Sequence, residues 1–576
     1  PVKYNFEMHA NYRLKVLETE IKRLAQKEEC SSVMANPLSY WRSQISSTTN
    51  FTSNIDLERL KIANKCTMIP IADFIKTPPT PTQYSFEIPY LEEPPVTNIL
   101  LVTNESTSSV VLLNSSSTFY LGDTVALLVV MRDGNGNQKT KGGDEFRVWF
   151  TDVTNPHSVL ATKITDFNNG TYLATTIAAF VGAFRATVTL VYSREYIQTM
   201  IIAHLMIKST TVYLGAFVNS IANETTVCSH VPVIPGVGKY EVCDVSEVNG
   251  SPWFCGRPVK PWLKCTDYMY TSMLPTFMTM PMNEAEKLLL IRENKIFPIT
   301  GSSDIHLKVV AKDGDSRLKL SEPSENCHTI KSRPTWEQPE PTGYLYQNIW
   351  HSYLCSQPET VTKACLSDLQ VLILGDSNAR AHFRVISANS ECKHRIIQEY
   401  KSWHKPLHCV NKDINFSVKW LPHSNPFKTT EVSWAGLDWI TASNKALDDI
   451  PSTGTYLILL NHYLHITSSH TSAYIQMMAA IKESLVRLFE RNPNTFVVVQ
   501  SPHVVWWFGA RSSYHMGDTL RNVYTNIQYE TFKDMRDRIF YIPTSEMTIA
   551  TQNSESHPYL NAQITNFFTG YFCGRH

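Results

Sequence analysis

The stretch that most constrains the fold of this 576-residue chain is Leu369-Gln370-Val371-Leu372-Ile373 followed by Leu374-Gly375-Asp376-Ser377. The apolar run has the length and composition of a buried strand. Asn378-Ala379-Arg380-Ala381-His382-Phe383, which comes next, can open a helix. Ser377 then sits at the carboxyl end of a strand and the amino end of a helix. Backbone N–H groups point outward at such a junction, and the helix dipole favours negative charge. That setting suits a nucleophile whose attack creates an oxyanion. Gly375 lets the backbone turn sharply and approach a substrate, and Asp376 braces the turn. Gly-Asp-Ser is also ordinary turn chemistry, so its meaning depends on the rest of the chain.

The surrounding pattern alternates strand and helix. Thr455–Leu460 and Thr495–Gln500 read as buried strands, and Ile539–Ile542 as another. Tyr474, Met478, Ile481, Leu485 and Leu488 share one face of a helix that stops at Asn492-Pro493-Asn494. Further helices are expected near 518–536 and 560–572. This order predicts a mostly parallel sheet with helices on both faces, over residues 356–576. Ligands of such sheets bind at the carboxyl ends of the strands.

Upstream the pattern changes. Residues 96–213 carry short runs rich in valine, leucine and threonine, such as Val125–Val130 and Ala186–Val191. Turns at Asp133-Gly134-Asn135-Gly136 and Asn168-Asn169-Gly170-Thr171 divide them, as in a β-sandwich. Residues 214–355 read as a cysteine-rich, irregular segment. Residues 1–95 are helical and then irregular. Leu14, Leu17, Ile21 and Leu24 make a narrow stripe, which packs on its own chain or serves as a stalk or homo-oligomer contact.

The balance of 52 basic and 52 acidic residues, without a long basic run, argues against nucleic acid as a partner. No run approaches the roughly 18 consecutive apolar residues of a membrane span. The chain begins without methionine or a signal-like apolar segment, so a targeting or anchoring segment is expected upstream. Twelve cysteines without a Cys-x-x-Cys pair favour disulfides over a metal site. Seven Asn-x-Ser/Thr sequons, at Asn50, Asn104, Asn114, Asn169, Asn223, Asn249 and Asn415, point to a glycoprotein of the secretory lumen or outside.

The chemistry-bearing residues fall just after the strands. Ser377 follows the first, Asn461-His462 the second, and Ser501-Pro502-His503 the third; His557-Pro558 lies beyond the last. Serine needs a base, and histidine serves near neutral pH. His462, His465, His470, His503, His515 and His557 are available. His557 is favoured by its loop and its proline, with His465 and His503 behind it. Asn461 can donate a second hydrogen bond to an oxyanion, beside the Ser377 amide. Glu555 and Glu546 are candidate orienting acids, and an acid could also come from elsewhere in the fold.

Gly375-Asp376-Ser377, Asn461 and His557-Pro558 together resemble, in order, the blocks of the SGNH/GDSL hydrolase superfamily, in its PC-esterase branch. Tyr120-Leu121-Gly122-Asp123-Thr124, Arg132-Asp133-Gly134-Asn135-Gly136, Gly142-Gly143-Asp144 and Asp166–Tyr172 resemble a neurexophilin-type, immunoglobulin- or filamin-like sandwich. The combination resembles the neurexophilin and PC-esterase domain (NXPE) family from about residue 60 to 573. The resemblance implies a secretory-pathway protein that O-acetylates sialic acid on glycoproteins in the Golgi, with acetyl-coenzyme A as donor and no resident metal or cofactor. Ser377 would be the nucleophile, His557 the base and Asn461 the oxyanion donor. Three positions depart from the pattern. Asn378-Ala379 replaces the usual Thr-Ile, and Ser554 stands three residues before His557, where an aspartate is usual. An acetylesterase, and a non-catalytic adhesion protein with a degenerate triad, are the competing expectations.

Overall fold

The computed structural model describes residues 86–573 except 115, 208–210, 233, 235–240, 276–282, 293–296, 358–362, 393, 398–404, 427–439 and 506–516. The expected N-terminal helix with its oligomer contact, Asn50, Cys30, Cys66 and His515 lie outside the described residues.

Alternating burial builds the sandwich. In Thr124–Asp133, Val125, Leu127, Val129 and Met131 point inward while their neighbours face out. This strand lies in a four-stranded antiparallel sheet with Thr103–Leu112, Thr171–Ile177 and Lys163–Asp166. The facing sheet is centred on Glu145–Asp152 and Gly182–Tyr192. Phe146, Val148, Phe150, Phe184, Ala186 and Val188 fill the space between the sheets.

The sandwich does not end at residue 213. Phe297–Pro298, His306–Val310, Gly343–Tyr346 and Ile349–Ser352 all join its second sheet. The remainder of the segment read as irregular is ordered too. Thr211–Val218, Asn223–Ser229, Val242–Asp244, Phe254–Gly256 and Tyr268–Pro275 form a five-stranded antiparallel sheet. Disulfides Cys228–Cys255 and Cys243–Cys265 staple it. Several of these strands have only two to four residues, too few for an alternation to be read from sequence.

The C-terminal module contains β1 (Leu369–Gly375), α1 (Ser377–Asn389), β2 (His394–Ile397), β3 (Leu407–Asn411), β4 (Phe416–Pro422), α2 (Ser443–Asp448), β5 (Thr455–Asn461), α3 (Thr471–Arg491), β6 (Thr495–Gln500), α4 (Gly517–Thr531), β7 (Ile539–Ile542), α5 (Ser545–Ala550) and α6 (Asn561–Gly570). The sheet order is β2-β3-β4-β1-β5-β6-β7. Strands β4, β1, β5, β6 and β7 are parallel, and β2 and β3 extend the edge as an antiparallel hairpin. Residues of β1 alternate between two cores. Leu372 and Leu374 pack with α2, α3 and α4, whereas Val371 and Ile373 pack with α1 and α6. The chain leaves β1 toward β4 on one side and reaches β5 on the other, so the crossovers diverge at the carboxyl ends of β1 and β5. Such a divergence opens the crevice in which doubly wound sheets bind ligands.

The modules share their cores. Trp149, Leu345 and Trp350 of the sandwich pack in the same cluster as β1 and α6. Cys365–Cys573 ties the start of the C-terminal module to its end, and Cys392–Cys409 ties the end of α1 to β3. Cys327–Cys355 closes the last strands of the sandwich.

Candidate active site

Gly375 sets the geometry at the crevice. It pairs with Asn461 across β1 and β5, and its φ is +144°. A Cβ there would lie 1.8 Å from the Asn461 carbonyl oxygen, so only glycine fits. Asp376 then caps α1, its Oδ1 accepting the Asn378 N–H at 2.8 Å. Its Oδ2 accepts the Leu464 N–H at 3.0 Å, which fastens the loop after β5 to the turn after β1. Ser377 follows, half-buried, at the first position of the helix.

Asn461 is 1% exposed, and among the described residues its Nδ2 has no acceptor. A buried amide donor without a partner costs about 1–3 kcal/mol. One at the end of β5, paired with Gly375 two residues before the serine, can donate to an oxygen arriving at the crevice.

The structure separates the histidines. His462 Nε2 lies 2.7 Å from Ser443 Oγ, and His465 Nδ1 lies 3.1 Å from His423 Nε2. His470 Nδ1 meets Ser472 Oγ at 2.8 Å, while its Nε2 faces Glu87 at 3.1 Å. His503 Nε2 donates to the Ser556 carbonyl at 3.1 Å. All of these rings are buried. Burial pushes His462 down to about 3; it also pushes His503 down to about 4, against the opposing charge of Asp376. His557 is exposed, with Nδ1 3.3 Å from Ser556 Oγ. Packing around the ring lowers its pKa, Asp376 opposes that, and Arg384 and Arg380 add to it. Asp376, Arg380 and Arg384 precede Ser377 by one and follow it by three and seven positions. His557 is therefore within electrostatic reach of the first two turns of α1. Ser377 Oγ and His557 are not hydrogen-bonded in this state; catalytic contacts are often long before substrate binds.

Among the described residues neither candidate acid is hydrogen-bonded to His557. Glu546 turns away, its Oε2 accepting the Thr342 N–H and hydroxyl at 2.5 Å each, so it braces α5 against the sandwich. Glu555 is exposed and favours the protonated form of His557 less than Asp376 does. The Ser554 hydroxyl engages that of Tyr559. Asp376 is the common charge instead, favouring the protonated form of His382, His423, His503 and His557 alike. Sequence reading gave it only a bracing role. It also passed over His423, although His423 directly follows a strand.

One sequon is corrected. Asn249 is buried, donates to the Ser251 hydroxyl at 2.7 Å and accepts the Asn425 N–H at 3.0 Å, so it has no room for a glycan. Asn169, Asn223 and Asn415 are exposed, and Asn104 and Asn114 half-buried. Among the described residues no group of acidic, histidine or cysteine side chains could hold a metal ion. Among them, too, no helix is long and apolar enough to cross a membrane.

A doubly wound α/β module with a serine at the head of its first helix thus follows a β-sandwich and a disulfide-stapled sheet. Residues 350–573 match the family model described as NXPE family member 4-like, C-terminal domain, and this stretch is similar to that family. Among solved structures, the crystal structure of the Lin-41 filamin domain is similar at 14% identity and a TM-score of 0.13, over 15% of this chain and 80% of that one. Five disulfides among the described residues fit a secreted or lumenal protein.

Proposed function

We propose that this protein is an SGNH-type serine O-acyltransferase, acting on sialic acid hydroxyls of glycoproteins in the Golgi lumen with acetyl-coenzyme A as donor. The observation that carries the reading is the buried, unpartnered Nδ2 of Asn461 beside Ser377 at the crevice between β1 and β5. Ser377 Oγ attacks the thioester carbonyl and passes its proton to His557. The tetrahedral oxyanion accepts hydrogen bonds from Asn461 Nδ2 and the first-turn amides of α1. The thiolate leaves with the proton, and an acetyl ester remains on Ser377. A sugar hydroxyl then attacks, gives its proton to His557 and takes the acetyl group; Ser377 recovers its proton.

A non-catalytic binding role is favoured by one observation: the hydroxyl of Ser556, and no carboxylate, is the group beside His557 Nδ1. The experiment is incubation of the purified protein with acetyl-coenzyme A and a sialylated glycan, beside Ser377→Ala. Acetylated glycan from the wild type alone supports transfer. Hydrolysis of a pre-acetylated glycan without transfer supports an esterase. A folded protein inactive in both assays leaves the binding role.

A further inference from the structure

The loop that carries His557 is held in place from the sandwich. His503-Val504-Val505, just after β6, is the hub. The Ser556 carbonyl can only accept, so His503 Nε2 carries the proton and donates to it at 3.1 Å. Ser556 is the residue next to His557. Asn553 Nδ2 donates to the Val504 carbonyl at 3.1 Å, and the Val504 N–H donates to Thr548 Oγ1 at 3.0 Å. The third residue is gripped from outside the module. Arg147, on the sandwich strand Glu145–Asp152, donates from Nη2 to the Val505 carbonyl at 3.1 Å and from Nε to Asp518 of α4 at 2.6 Å. Arg147 and Asp518 are 1% and 0% exposed.

We infer that His503 is a positioning residue for His557, and that Arg147 steadies it across the module boundary. The inference rests on the reading of Ser377 and His557 as nucleophile and base. With serine at position 554, no side-chain carboxylate aligns His557 from its own loop. A hydrogen bond to the neighbouring carbonyl fixes the backbone from which the ring projects, and so sets the approach of the ring to Ser377. His503 is fully buried, whereas His557 is exposed, so it is His557 that a substrate can reach. The sandwich is in this view part of the catalytic unit.

The test uses the full chain with His503→Leu, His503→Gln and Arg147→Lys. Glutamine can present an N–H near the position of Nε2. Lysine keeps the charge opposite Asp518 but loses the fork that also reaches Val505. One readout is the rate at which a fluorophosphonate probe labels Ser377 across pH, without substrate. The other is amide hydrogen exchange over residues 553–559. His503→Leu is expected to slow labelling by roughly 100-fold, the scale of a reacting group misplaced by about an ångström. It should speed exchange in that loop roughly fivefold or more, the scale of one lost hydrogen bond. His503→Gln should recover most of both, and Arg147→Lys should show a smaller slowing of labelling. Faster exchange with unchanged labelling makes His503 a structural residue only and overturns the inference. Unchanged labelling and exchange overturn it as well. If His503→Leu does not fold, a His503→Gln that folds but labels as slowly as Ser377→Ala also overturns it. A wild-type protein that never labels at Ser377 sinks the nucleophile reading, and the inference falls with it.

Discussion

Asn461 separates a catalytic demand from a folding demand. Most buried amides earn their place through a hydrogen bond, yet Nδ2 of this one has no acceptor among the described residues. Removing it therefore breaks no bond of the resting fold. Asn461→Ala should slow labelling of Ser377, or turnover, by about 100- to 1,000-fold, as loss of one oxyanion donor does elsewhere. The melting temperature should move little. A large drop in melting temperature with an unchanged rate would show that the side chain is structural. His557 gives a second residue-scale prediction. Its pKa is lowered by packing and by Arg384 and Arg380. The ring is a base only when neutral, so the rate should rise with pH to a midpoint below about 6.5, the ordinary histidine value. Arg384 is exposed on the flank of α1. Arg384→Gln removes a cation that disfavours the imidazolium, so the midpoint should move upward. A midpoint that stays fixed or moves downward would place another group in the role of base.

At the scale of elements, the sequence was legible where a strand had neighbours of its own kind. Thr495–Gln500 and Ile539–Ile542 are found where their apolar runs predicted them. The face of Tyr474, Met478, Ile481, Leu485 and Leu488 is the buried face of α3. The Ser377 turn and Asn461 were legible because parallel strands bring their carboxyl ends to one edge. Phe416–Pro422 was missed, although Phe416, Val418 and Trp420 are buried; polar Ser417 and Lys419 hide a strand that lies beside β1. The influence of Asp376 was not legible because it acts through space on His503 and His557, far from it in sequence. The sandwich–α4 contact was not legible either: Arg147 and Asp518 are 371 positions apart. It carries its own prediction. Arg147→Met leaves the buried Asp518 carboxylate with Arg521 Nε alone, 3.9 Å from its Oδ1, and should cost up to about 3–5 kcal/mol. Adding Asp518→Leu removes the under-paired charge, while Arg521 keeps Glu145 as its partner, and should recover part of that loss. Denaturant unfolding of the two variants checks it. A double variant no more stable than the single would mean that the contact works through packing and not through charge.

The whole molecule carries its buried histidines as a pH-dependent load. Burial pushes His204 and His462 down to about 3, and His382 and His503 down to about 4. Each is neutral when folded, whereas the unfolded chain protonates near pH 6.5. The stability tied to them is complete above about pH 6.5 and is lost as pH falls toward 4. At 1.36 kcal/mol per unit, each contributes on the order of a few kcal/mol. Three buried carboxyls oppose this. Burial raises Glu145 and Glu546 to about 7 and Asp144 to about 6. A raised carboxyl takes up its proton more readily when folded, so its contribution is present at low pH and is lost as pH rises through its folded value. Near pH 7 the two sets roughly cancel in protons bound, and stability should be flat there. Below about pH 6 the carboxyls are already protonated in the folded state, while the unfolded chain keeps binding protons at the four histidines. The melting temperature should therefore fall from about pH 6 toward pH 4.5, and His462→Gln, which removes one of the four, should make the fall shallower. A melting temperature that rises over that interval would mean that these histidines are not enclosed as the fold places them.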